Sequence, residues 1–330
     1  MIKLVDAKNI IFYPVMVASI CWCLLSLFKM KNFIDFLKIE YPQCTMTNEN
    51  RNVIFFTTMI VLSLVQHPVE TFGKSFFKKI IPEKKFPLGS QEREAKAQML
   101  GERVFKITMN IFCVTSLYHI MLGEDCDFLD ARIGGRSERP LYFFNHPCQK
   151  LPSMMDSFYV FKLSYHLYEL GYTLMFDRKR HDFPEYALHH FLTFTLIYFS
   201  YVVNYLPVGA AVMILHDVTD LGASIFKLVV DITPMTFQVG GYIVMVTSWV
   251  YFRLWYFPVF VIYRIYEESQ EWQGKTWNAN LICMLTGFLC VLFFLHCFWF
   301  YLMFKGLMKR FGSKSSFKDH VSLGSNENKQ

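Results

Sequence analysis

Eight apolar stretches, each near the ~20 residues that a helix needs to cross a bilayer core, take up most of this 330-residue chain. They run at about 10–29, 52–72, 103–122, 155–176, 187–206, 208–230, 239–263 and 279–304. Runs of this length fold in hydrocarbon as helices, because each helix satisfies its own backbone hydrogen bonds. Composition agrees: 53% of residues are hydrophobic, 35 are Phe and only 18% are charged. That excludes an ordinary cytosolic globule, a disordered chain, a collagen and a small disulfide scaffold. The fold class expected is an all-α polytopic membrane bundle of about eight spans, within a range of six to eight.

The net charge of +6 does not point to nucleic acid, because the basic residues flank the apolar runs in short loops and tails. Lys74, Lys78, Lys79, Lys84, Lys85, Arg93, Lys96, Arg103 and Lys106 place segment 73–106 in the cytosol. Counting spans from there also puts the loop 177–186 and the basic tail in the cytosol. The acidic connector 264–278 falls on the other side. Lys3 and Lys8 precede the first run, which is longer than a signal-peptide core and lacks a small-residue cleavage site, so it reads as a retained span. Residues 1–95 form N-terminal membrane segments with a basic loop, 96–310 a membrane domain, and 311–330 a polar, disordered cytosolic tail. Cys126 and Cys148 share the non-cytosolic loop 123–152, where an oxidising lumen would permit them to pair.

Ionisable groups inside spans are costly and mark function by default. This chain concentrates them between His189-His190 and Lys227. His216, Asp220 and Lys227 share one helical face, with Asp217 beside them. Such a face lines a cavity or pairs internally. Imidazole with a nearby carboxylate suits acid–base or nucleophilic chemistry near neutral pH. A buried network that only fixes helix packing is the competing reading. Depth presents a difficulty, since a hairpin pivoting near Pro207–Gly209 would separate His190 and Asp217 by roughly 13 Å. No di-iron histidine box is present, because Tyr186 stands where HxxHH would need His, and no metal site is expected.

The stretch His189-His190-x2-Thr193, Ser200-Tyr201-x2-Asn204, Gly209, His216-Asp217-x2-Asp220 and Lys227 resembles the signature of ceramide synthases, within the wider TLC-domain family. The basic loop 176–183 and Asn145-His146-Pro147-Cys148-Gln149 extend the likeness over about 95–300. Three positions depart from the family pattern: Pro207 replaces an Arg, Ser224 a Glu, and Phe226 a small residue. The segment 73–102 is also too short for the homeobox-like domain of some animal members.

The resemblance implies transfer of a fatty acyl chain from acyl-CoA to the amine of a sphingoid base, in the endoplasmic reticulum membrane. It implies no cofactor, a long apolar cavity open to the cytosol, and dimers as the family commonly forms. The expected base or transient acyl carrier is His189 or His190, with Asp217 orienting an imidazole and Asp220 and His216 completing the polar site. Asn204 and Lys227 are expected to line the cavity, and Arg178, Lys179 and Arg180 to attract the CoA phosphates. In the family, the connector corresponding to 264–278 is associated with acyl-length preference. The alternative is a non-catalytic TLC-domain protein that binds lipid or regulates membrane composition.

Overall fold

The computed structural model describes residues 4–44, 50–123, 128–178, 180, 182–230, 232–271 and 278–312. The expected tail 311–330 lies outside these from residue 313 onward. The described residues form helical rods: α1 (Leu4–Glu40), α2 (Arg51–Ile80), α3 (Gln91–Met121), α4 (Met155–Phe176), α5 (Phe183–Val202) and α6 (Leu206–Val229). α7 (Met235–Trp249) continues through a π-helical stretch, Val250–Ile262, into α8 (Tyr263–Glu271), and α9 (Ala279–Gly312) follows. Each of the eight apolar runs therefore falls chiefly on one rod, although the run 187–206 continues past the end of α5 through the turn that leads into α6.

Among the described residues, six helices are long and apolar enough to cross a membrane: those at Ile10–Phe28, Arg51–Ile80, Gln91–Met121, Leu206–Val229, Met235–Gln270 and Ala279–Met308. α4 and α5 fall short because Lys162, Glu169, Glu185 and the histidine pair dilute their hydropathy. Lys162, Glu169, Glu185 and His190 are buried, so both helices turn polar groups into the bundle. The outer helices turn Phe outward instead, with Phe28 89% and Phe72 73% exposed, a surface that lipid accommodates.

Local sequence explains several boundaries. Ser90 caps α3 by accepting from the Arg93 amide, and Glu92 and Glu94 favour its positive N-terminal end. Pro184 and Pro207 sit in the first turns of α5 and α6, where a missing N–H costs nothing. α2 and α3 cross at Gly73 and Gly101. A Cβ on Gly101 would come within 2.3 Å of the Glu70 carbonyl, so a larger residue would push these helices apart.

At one end of the bundle Cys44 and Cys148 form a disulfide, with Cα atoms 4.8 Å apart. Cys148 is therefore bonded to Cys44 and not to Cys126, the partner that its own loop would permit. Cys148 turns away from its own loop toward the connector between α1 and α2, and Cys126 lies outside the described residues. The bridge joins the first helical connector to the segment between α3 and α4.

Candidate active site

The expected depth mismatch between the histidines and the aspartates disappears because the α5–α6 corner falls earlier than Pro207. Asn204 adopts a left-handed φ of 61°, and the Tyr205 amide donates to the Ser200 carbonyl at 2.7 Å. Asn tolerates that conformation better than most residues. Pro207 is already helical. With the turn centred on Asn204, His189 comes level with about residue 219 of α6 in a simple hairpin. The His189 and His216 ring centres are 6.5 Å apart.

These groups open onto a cavity with about 790 Å³ of atom-free space, its open mouth included. His166, His189, His216, Asp217 and Asp220 line one part. The rest is chiefly apolar, with Leu196 and Ile197 of α5, Val212 and Met213 of α6, and Leu285 and Leu289 of α9. A polar head beside a long apolar wall suits an amphiphile.

The two histidines of the pair differ. His189 lines the cavity, and its Nδ1 is buried without a hydrogen-bond partner. His190 is not among the lining residues; its ring packs edge-on against Tyr186 at 4.4 Å. His216 is fixed at both nitrogens. Its Nδ1 lies 2.7 Å from the Val212 carbonyl, so that nitrogen carries the proton. Its Nε2 then accepts from His296 Nε2 at 3.0 Å. His189 thus keeps a ring nitrogen uncommitted on the cavity wall where His216 keeps none; His166 Nδ1, also on the lining, and both ring nitrogens of the buried His190 are without partners as well.

The carboxylates are held by cations from other helices. Both Asp217 oxygens accept from Lys162 Nζ at 2.8 Å, in place of the imidazole expected there. Asp220 accepts from Arg253 at 2.6 Å, and Arg253 also donates to Thr219 Oγ1 and the His216 carbonyl. Pairing of this kind offsets the large cost of burying charge. Asp220 keeps 43% of its side chain exposed, against 9% for Asp217, so part of its Arg253-paired carboxylate stays open at the polar end. Among the described residues, no group of three or more His, Cys, Asp or Glu is arranged to hold a metal ion.

The other expected residues lie elsewhere. Asn204 is at the disulfide end, where its Nδ2 donates to the carbonyls of Cys44 and Pro147. Lys227 ends α6 at the opposite, basic end, among Arg103, Arg180, Lys106 and Asp182. Arg178 is exposed there and folds back onto the Leu174 carbonyl. Lys179 lies outside the described residues. Arg180 donates to Asp182 at 2.9 and 3.0 Å. Burial pushes the Asp182 carboxyl up, but the Arg180 contact outweighs it and leaves the group below its ordinary value. Pro207 and Ser224, two of the departures from the family pattern, do not line the cavity.

Sequence reading missed Lys162, Arg253 and His296, the residues that hold Asp217, Asp220 and His216. All three are ionisable groups within apolar runs, so the rule that singled out α6 would also have found them.

A family profile described as the TLC domain matches residues 100–305. Ceramide synthase 4 of Mus musculus is 35% identical over 166 residues, 49% of this chain and 40% of that protein. Ceramide synthase LOH2 of Arabidopsis thaliana is 27% identical over 202 residues, 58% of this chain and 67% of that protein. Ceramide synthase hyl-2 of Caenorhabditis elegans is 26% identical over 171 residues, 49% of this chain and 51% of its own length. The match thus spans well under half of the mouse protein and two thirds of the plant one. With the profile covering more than half of the chain, this membrane protein belongs to the TLC-domain family.

Proposed function

We propose that the protein is a ceramide synthase, an N-acyltransferase that joins a fatty acyl chain from acyl-CoA to the amine of a sphingoid base. One observation carries this reading: an uncommitted imidazole, His189, stands at the polar end of an otherwise apolar cavity. The relatives named as ceramide synthases support it.

The chemistry divides among the residues. A sphingoid base arrives as an ammonium, and one proton must leave before nitrogen can attack the thioester carbonyl. His189 serves as the base for that proton or as the transient acyl carrier. In either route a C–N bond forms to the substrate amine, the C–S bond breaks, and CoA departs as the thiol. Asp220 faces the ammonium. Asp217, neutralised by Lys162, and His216, fixed by His296, keep the polar wall in one arrangement. The basic end, with Arg103, Lys106, Arg180 and Lys227, faces the cytosol and draws the CoA phosphates. The disulfide end then faces the lumen of the endoplasmic reticulum, an oxidising compartment that sustains the bridge.

The test uses microsomes bearing the full chain, a labelled acyl-CoA and a sphingoid base. Wild type forms ceramide, His189→Ala loses on the order of 10²–10⁴ of that rate, and His190→Ala loses less. A wild type without product at any chain length, or a His189→Ala variant as active as wild type, overturns the catalytic reading in favour of a lipid-binding one.

A further inference from the structure

The cavity has two ends, and the chemistry described above uses one of them. The other lies level with Ser200 on α5, Val208 on α6, Ile265 on α8 and Ile282 on α9. His189 and Ser200 are about 16 Å apart along α5 at the helical rise per residue, a distance on the scale of a fatty acyl chain. The helices supply the walls here. Among the described residues, Phe143 is the one that the segment between α3 and α4 adds to the lining.

Phe143 is held from several directions. It is 2% exposed, and its ring meets Tyr205, the residue that opens α6, edge-on at 5.0 Å. Its amide donates to Glu268 Oε2 at 2.9 Å, and the Tyr142 amide donates to the same carboxylate at 2.9 and 3.0 Å. Arg264 faces Glu268 at 3.1 Å and donates to the Pro140 carbonyl at 3.2 Å. Gln149 donates to the Tyr142 carbonyl at 2.6 Å, and its neighbour Cys148 is tied to Cys44. A ring anchored through its own backbone to a buried carboxylate, and through its segment to a disulfide, cannot swing aside as a free loop residue would.

We infer that Phe143 is the floor of the acyl channel and sets the longest chain that the protein accepts. The inference rests on the acyl-transfer reading. The thioester carbon is fixed beside His189, so the methyl end of a bound chain stops at whatever closes the far end. Each methylene beyond that point must displace a packed ring or bend back on itself. Truncating Phe143 therefore lengthens the accepted chain, and enlarging it shortens the chain. Glu268 acts as a positioning residue for the ring.

The test offers wild type, Phe143→Ala and Phe143→Trp microsomes an equimolar mixture of saturated acyl-CoAs of graded length with one sphingoid base. Ceramides are resolved by mass spectrometry and normalised to immunoblotted protein. The ratio of products two methylenes apart, at the upper limit of the wild-type range, rises roughly tenfold in Phe143→Ala and falls in Phe143→Trp. Phe143→Leu gives an intermediate profile and serves in place of the alanine variant if that accumulates poorly. Glu268→Gln keeps some of the amide contacts and broadens the distribution without moving its centre as far. Profiles that coincide with wild type in both the smaller and larger variants overturn the floor. A wild type that makes no ceramide at any length fails the acyl-transfer reading itself.

Discussion

The two ends of the cavity are built by opposite means. At the polar end, order comes from side chains that reach across helices: Lys162 of α4 to Asp217 of α6, Arg253 of the π-helical stretch to Asp220, and His296 of α9 to His216. At the disulfide end, side chains seize backbone instead. Glu268 takes the amides of Tyr142 and Phe143, Asn204 reaches the carbonyls of Cys44 and Pro147, and the His146 ring donates to the Val203 carbonyl at 2.7 Å. The difference follows from what each end contains. Helices already satisfy their own backbone, so charges buried among them must find one another. Irregular segments leave backbone groups open, and these become the anchoring points.

The contrast can be broken by experiment. Lys162→Met strands the Asp217 charge and lowers stability by about 3–5 kcal/mol, whereas adding Asp217→Leu restores most of the loss while leaving the protein inactive. Thermal unfolding in detergent measures both; a double variant no more stable than the single one would show that the pair is not what holds α4 to α6. Cys44→Ser, read by the same melt and by mobility on non-reducing gels, costs about 2–4 kcal/mol. A loss as large as that of Lys162→Met would erase the distinction between the two ends. The smallest effect concerns pH. Burial holds the His146 imidazole down at about 4, although its bond to Val203 works the other way. The folded value is below the unfolded one, so the stabilisation is present above about pH 6.5 and is lost as pH falls toward the folded value, by roughly 2 kcal/mol at pH 5. In His146→Gln that acid slope flattens. An unchanged slope would assign it to other groups.

Much of this was legible in the sequence for a plain physical reason. Twenty-residue apolar runs have few folds open to them in lipid, so every rod could be located before its neighbours were known. The cluster from His189 to Asp220 was legible because charge is rare in such runs. What escaped was pairing. Nothing local to Asp217 names Lys162, and nothing near Cys148 names Cys44. The corner was misplaced because Pro207 and Gly209 look like turn residues, yet proline also suits a first helical turn, and the bend is made by Asn204. His189 and His190 are adjacent in sequence and point to different surroundings, a distinction that depends on Tyr186 and on the exact roll of α5.

The bridge between Cys44 and Cys148 spans 104 positions of sequence. A ribosome delivers α1 long before the segment that α1's connector must join, and α2 and α3 come in between. The connector after α1 is thus covalently secured only once α2 and α3 have followed it, and its thiol must wait, reduced or in the care of an oxidoreductase, while those two helices are threaded. Biogenesis of this protein is therefore exposed to the redox state of the cell during an interval fixed by the speed of translation.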